Sequence, residues 1–311
     1  MTTALLTHSD CLTHVTPPGH AERADRLRAV AEALTTEGFA GLLREDAPLA
    51  DEAELLRAHP QGYVDKVKAA GPAEGTVALD PDTHMSPGSF RAALRAVGGA
   101  LRAVDMVMAG EAANAFVAVR PPGHHAETAR AMGFCLFSTV AIAARYALDR
   151  HGLSRVAVVD FDVHHGNGTQ DVLWDDPRVL FVSTHQMPLY PGTGAAEETG
   201  AAGNVLNLPL PPMSDGRRFR AEIEAHALPR LDAFAPELVL VSAGFDAHAA
   251  DPLAQLAWGT ADFAWITQRL CDIAEAHSGR RLVSTLEGGY DLEALAASVA
   301  AHVAVLMERG A

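Results

Sequence analysis

Four short runs of apolar, largely β-branched residues in this chain each stop abruptly at a glycine-containing loop that carries histidine, aspartate or tyrosine. AFVAV runs into RPPGHHA, VAVVDFD into VHHGNGTQ, ELVLVSAG into FDAHAADP, and RLVSTL into EGGYD. Runs this short and continuously apolar read as strands buried on both faces, the pattern of a parallel sheet covered by helices. In open α/β sheets, ligands sit outside the carboxyl ends of the strands. The repeated join of strand to polar loop therefore predicts one site, assembled from segments that span residues 120 to 291.

The rest of the chain agrees with that class. Periodicity predicts strands over 4–8, 115–120, 156–162, 179–184, 237–243 and 281–286, and helices over 22–37, 86–109, 138–150, 216–233, 260–277 and 291–308. No linker, repeat or composition shift divides the 311 residues, 49% hydrophobic and 20% charged, so residues 1–311 read as a single α/β domain. Its core is large enough to need no disulfide or structural metal. Three cysteines without a CxxC fit a reducing compartment. The N-terminus has no basic n-region, and no apolar run reaches the roughly 18 residues of a membrane span. The chain thus reads as cytoplasmic, with no membrane partner. A net charge of −15 without basic patches argues against nucleic acid and mildly favours cationic ligands.

The loops define the chemistry. Asp162 and His164 are two residues apart at the end of an expected strand, so their side chains share a face and can meet one ion. Carboxylate plus imidazole suits Zn²⁺ or a similar dication. Asp246, which also directly follows a buried strand, is the best third ligand, and three ligands leave a position open for water. His124 and His125 follow a Pro-Pro-Gly turn where positioned acid–base groups are wanted. Asp160 is placed to orient an imidazole N–H from behind the ligands. Asn167, between Gly166 and Gly168, can accept such a bond without adding charge. Tyr290 can donate to a developing oxyanion.

Together RPPGHHAE, GFCLF, DFDVHHGNGTQD, VSAGFDAHAADPL and LEGGYD resemble the histone deacetylase family of the arginase–deacetylase superfamily, in the wording of class II and bacterial deacetylase-like amidohydrolases. The resemblance runs from about residue 16 to 305. It implies the arginase–deacetylase fold, a single α/β domain with a mostly parallel, eight-stranded central sheet and helices on both faces. It implies a hydrolase that removes an acetyl or acyl group from an amide, with one Zn²⁺ held by Asp162, His164 and Asp246. Asp251 matches a position that is not a ligand. His124 would pair with Asp160, His125 with Asn167, and Tyr290 matches the catalytic tyrosine. The Asn partner would leave His125 near its ordinary pKa.

The resemblance further implies K⁺ as a structural ion. One site would use Asp160, Asp162, His164, Ser183 and Thr184, largely through backbone oxygens; a second would use Leu173, Asp176, Val179 and Asn204. Channel walls would include Gly133, Phe134 and Tyr190, the last where the family usually has Phe. His20 would also line the channel, with Asp82 at its rim. Leu253 matches the gatekeeper position, where acetylpolyamine-selective relatives carry an acid, and so favours acyl-lysine-like or neutral amides. An acylated small molecule or peptide is the implied partner, with homo-oligomerisation left open. GHAERADRL lacks the family's prolines, and Asp291 replaces the common Asn. An acetylpolyamine or other small amide or ester hydrolase stands as the alternative, and a non-catalytic acyl-ligand binder as a second.

Overall fold

A computed structural model describes residues 2–311. In chain order its strands are β1 (Thr3–Thr7), β2 (Leu43–Asp46), β3 (Val77–Ala78), β4 (His84–Met85), β5 (Asn114–Val117), β6 (Val156–Asp160), β7 (Val179–Gln186), β8 (Val205–Leu210), β9 (Leu238–Ala243) and β10 (Leu282–Leu286). The helices are α1 (Ala24–Ala33), α2 (Glu52–Leu55), α3 (Gln61–Ala69), α4 (Ser89–Ala109), α5 (Thr139–His151), α6 (Asn167–Leu173), α7 (Gly216–Glu222), α8 (Leu228–Phe234), α9 (Thr260–His277) and α10 (Leu292–Gly310).

Eight strands form one sheet in the order β2-β1-β5-β10-β9-β6-β7-β8, and every neighbouring pair is parallel. This is the single-domain α/β architecture expected. Every residue of β5, β6, β9 and β10 is buried, as it must be when helices cover both faces. Those four strands are the ones that carry the polar loops. They are also consecutive in the sheet, as β5-β10-β9-β6, although far apart in sequence. Parallel pairing puts all four carboxyl ends on one edge, so the loops converge without any long excursion.

Several expected boundaries shift. The strand expected over 156–162 ends at Asp160, and that over 115–120 ends at Val117. Asp162 and His164 therefore lie on the loop after β6, and strand alternation is not what aims them. Two strands of the eight-stranded sheet lacked a strand signal, and both lie at its edges; the short β3–β4 pair outside it was not expected either. Residues of β2 read LRED and are largely exposed. Pro209 interrupts β8, where a missing N–H is tolerated because no strand follows. The helix expected over 216–233 is α7 and α8 joined by a π-turn at Ile223–Ala227. The helix expected over 22–37 is confined to α1. Asp291 has a local role as the N-cap of α10, its Oδ1 accepting from Ala294 N at 2.8 Å. Asp and Asn cap equally well, which accounts for the exchange.

Candidate active site

Asp162, His164 and Asp246 meet just beyond the carboxyl ends of β6 and β9. One donor atom from each lies within 4.8 Å of the others, and all three residues are buried. His164 Nδ1–H donates to Asp162 Oδ1 at 3.1 Å and to Asp246 Oδ2 at 3.2 Å. Backbone amides fix the opposite carboxylate oxygens: Gly288 N donates to Asp162 Oδ2 at 2.8 Å and Val163 N to Asp246 Oδ1 at 2.9 Å. Position 288 must be glycine, since a Cβ there would come within 2.1 Å of Asp246 Oδ2. Burial works against charge on His164, but hydrogen bonds to the two carboxylates outweigh it and raise its pKa to about 10. The group thus favours positive charge between its carboxylates. Two oxygens and one nitrogen, converging and buried, fit a zinc-like dication.

The tandem histidines stand over this group, their ring centroids 4.0 Å apart. His124 Nδ1–H donates to Asp160 Oδ2 at 3.0 Å, and its Nε2 is 3.8 Å from Asp162 Oδ2. Burial would push His124 down, yet the charges of Asp162 and Asp160 prevail and hold it well above its ordinary value. His125 Nδ1–H donates to Asn167 Oδ1 at 2.7 Å. Burial, reinforced by His124 and His164, pushes His125 well below its ordinary value rather than leaving it near 6.5. The two rings are thus driven apart, His124 upward by its carboxylates and His125 downward by burial and its neighbouring rings.

Tyr290 is buried, and burial raises its phenol well above the usual range, so it is a neutral donor. Its turn is held from two sides. Asp251 Oδ2 accepts from Tyr290 N at 2.7 Å, and burial, aided by Asp246, pushes the Asp251 carboxyl up to about 7. Arg26 donates to the carbonyls of Gly289 and Glu287, each at 2.5 Å, and its guanidinium lies 4.9 Å from the centre of the Tyr290 ring. Glu22 bridges buried Arg26 and Arg120. This ion pair pins the N-terminal loop that lacks the family's prolines.

A cavity of about 240 Å³ leads down to these groups, lined by Asp82, His125, Gly133, Phe134, His164, Leu189, Tyr190, Leu253 and Tyr290. Phe134 and Tyr190 are aromatic parts of its wall, with Phe134 5.8 Å from Tyr290 and Tyr190 5.3 Å from His125 between ring centroids. Gly133, at φ 56°, allows the wall to lie against His125, where a Cβ would be 2.3 Å from Cδ2. His20 is not among the lining residues. It packs one layer back, 4.8 Å from the Phe134 ring, with Nε2–H donating to Asp82 O at 3.0 Å.

The histone deacetylase domain profile matches residues 20–306. The chain is 42% identical over 284 residues to a histone deacetylase-like amidohydrolase of Pseudomonas aeruginosa, covering 89% of this chain and 74% of that protein. It is 43% identical to an uncharacterised protein of Synechocystis, covering 95% and 96% of the two chains. The crystal structure of the HDA15 HD domain superposes with a TM-score of 0.94 at 36% identity, covering 99% of this chain and 89% of that one. The chain belongs to the histone deacetylase family. Its fold is accordingly the arginase–deacetylase fold, and deacetylase-type amide hydrolysis is the activity that membership supports.

Other residues of these histone deacetylase motifs prove structural. Glu287, from EGGYD, is fully buried and accepts from Gly123 N at 2.7 Å and His124 N at 3.2 Å, tying the β10 loop to the tandem histidines. Burial pushes it up to about 7 despite the nearby His124 charge. Its place directly after a buried strand was the available signal. Arg120, at the end of the strand expected over 115–120, carried the same signal, but Glu22 carried none, and neither residue's partner could be read from the sequence. Among the residues expected around K⁺, Asp160 and Ser183 are register partners on β6 and β7, and the Thr184 hydroxyl is buried without a partner. The carbonyls of Leu173, Asp176 and Val179 all converge on Asn204 Nδ2, at 2.9, 3.2 and 3.3 Å. Asn204 Oδ1 is buried and unpartnered.

Proposed function

We propose that this chain is a zinc-dependent deacylase that hydrolyses linear acyl amides of the acyl-lysine type. The observation that carries this reading is the buried Asp162–His164–Asp246 group at the foot of a narrow cavity, faced by neutral His125 and neutral Tyr290. Asp162, His164 and Asp246 would hold the metal, with one ion per chain. When bound, zinc in such a site polarises a carbonyl and lowers the pKa of a coordinated water.

The chain's own groups do the rest. With Nδ1–H committed to Asn167, His125 presents Nε2 as the free nitrogen that takes the water's proton and returns it to the leaving amine. His124, its Nδ1–H bonded to the Asp160 carboxylate, would offset negative charge as the tetrahedral centre forms. Tyr290 donates its phenolic proton in a hydrogen bond to the oxyanion. Asp251 and Arg26 hold the Tyr290 turn in place before the substrate arrives. Phe134 and Tyr190 flank an unbranched aliphatic stem, and Leu253 supplies no acid to select a second ammonium. Asp82 at the lining can accept from a substrate N–H.

Two cation sites complete the reading. The oxygens near Asp160, Ser183 and Thr184 would hold one K⁺. Three carbonyls exceed the two protons of the Asn204 amide, and turning Oδ1 inward would give a second ion four oxygen ligands. All three cysteines are buried and free, which supports a reducing compartment. Among the described residues, no helix is long and apolar enough to cross a membrane.

The test is a panel of acetyl-lysine peptides, longer acyl-lysines, acetylputrescine and acetylspermidine, assayed with stripped and zinc-reloaded protein. The expected result is one zinc per chain and turnover of acyl-lysine above that of either polyamine. Preference for acetylspermidine would overturn the substrate assignment. Stoichiometric zinc and hydroxamate binding without hydrolysis of any acyl amide would restore the binding-protein alternative.

A further inference from the structure

We infer that Glu127 is a positioning residue that sets the tautomer of His125 from outside the substrate cavity. The inference rests on His125 being the base. A neutral imidazole carries one proton, and which nitrogen holds it depends on the partner that the other nitrogen meets. Here Nδ1 faces the side chain of Asn167. An asparagine amide has nearly the same shape in its two orientations, so Asn167 by itself could present either its oxygen or its NH₂ to His125. With the oxygen inward, Nδ1 is protonated and Nε2 is free to accept. With the NH₂ inward, Nδ1 must be the acceptor, the proton moves to Nε2, and the base is lost.

The far side of Asn167 decides between them. Glu127 Oε1 accepts from Asn167 Nδ2 at 2.7 Å, and Met132 Sδ lies 3.3 Å from the same nitrogen. A carboxylate and a thioether are both acceptors only, so the amide hydrogens must turn toward them and the oxygen toward His125. Glu127 is itself fixed. Its N–H donates to Arg130 O at 3.0 Å, and the next amide, Thr128 N, donates to Asp171 Oδ2 on α6 at 2.8 Å. The carboxylate lines a separate outer recess of about 420 Å³, together with Asn167, Trp174 and Glu198. It is absent from the lining of the substrate cavity. Glu127 therefore touches neither the base nor the acyl group; it acts through one amide.

The experiment compares Glu127→Ala, Glu127→Gln, Asn167→Asp and the Glu127→Ala/Asn167→Asp pair in the zinc-loaded enzyme. Ring-nitrogen NMR shifts of His125 in ¹⁵N-histidine-labelled protein, assigned by their loss in His125→Asn, report the tautomer without reference to turnover. Wild type and Glu127→Gln, whose amide oxygen can still accept, should show the Nδ1–H form. Glu127→Ala should show a substantial Nε2–H population, with kcat lower by roughly 3–10-fold and KM unchanged. That loss should be constant along the alkaline plateau of the pH profile, since both tautomers are neutral. In the Asn167→Asp background a carboxylate accepts in either rotation, so Glu127→Ala should cost less than about twofold. A wild-type tautomer in Glu127→Ala, or an undiminished loss in the Asn167→Asp background, would overturn the inference. If wild type hydrolyses no acyl amide, the proposed function fails, while the spectra still decide whether Glu127 sets the tautomer.

Discussion

The chain contains two HisHis pairs, and they end in opposite circumstances. His124 and His125 both stand beside the acidic group, their tilted rings 4.0 Å apart, one against a carboxylate and one against an amide. Of the second pair, only His164 joins the acidic group. His165 turns away, with its Nδ1 2.8 Å from Thr193 Oγ1, its Nε2 3.0 Å from Gln170 Oε1, and its ring 4.8 Å from that of His185. Burial, reinforced by His185, pushes His165 down to about 3, so it is neutral. All four rings are buried. A neighbouring carboxylate separates the raised rings, His124 and His164, from the depressed ones, and a place on the cavity lining separates His125 from the equally depressed His165.

The largest test of this contrast is His125→Ala against His165→Ala. Removing the base should lower kcat by roughly 10²–10⁴ with zinc content intact. The His165 change should alter turnover by less than about threefold, because that ring meets no reacting group. Equal losses in the two variants would mean that the second pair shares the catalytic work. Next in size is Tyr290→Phe, which keeps the ring beside Phe134 and removes only the hydroxyl. Turnover should fall by roughly 10²–10³ while metal stoichiometry and thermal midpoint stay unchanged. Wild-type turnover in that variant would remove Tyr290 from oxyanion stabilisation.

The readability of these residues in the sequence followed how local their causes are. The β5, β6, β9 and β10 loops were visible because a buried strand announces its own end, and a polar, glycine-containing run after it is unusual. Asp162 and His164 were chosen on strand alternation, yet they lie beyond β6 on a loop. The pairing came out as expected because Gly288 N and Val163 N clamp the carboxylates, contacts from distant segments that no local pattern encodes. Glu22, Arg120 and Glu287 were missed for the same reason: each is explained by a partner roughly a hundred or more residues away. Edge strand β2 was missed because it is exposed and charged, and β8 because an asparagine and a proline interrupt its apolar run. His165 could be set aside from the sequence, but its neutral partners could not be named.

The neutral cluster has a consequence that the charged one does not share. His185 is fully buried, its Nδ1 2.9 Å from Ser183 Oγ and its Nε2–H donating to Gly194 O at 2.9 Å. Burial lowers its pKa from 6.5 to about 4, despite the hydrogen bond to Gly194. A histidine depressed in the fold contributes its full stability above the unfolded value, near 6.5, and loses it as pH falls toward 4, because the unfolded chain takes the proton first. Between pH 6.5 and pH 5 this costs at most about 2 kcal/mol for one such group. His124 has the opposite sign: its stabilisation is complete below 6.5 and is lost only as pH rises through its elevated folded value. Acid should therefore weaken the fold from the side of the depressed rings, His165 and His185 among them, while His124 resists. Urea midpoints for wild type and His185→Gln at pH 7 and pH 5 would show it, the variant being weaker at pH 7 but losing less on acidification. An equal loss in both proteins would mean that His185 is not protonated on unfolding in that window.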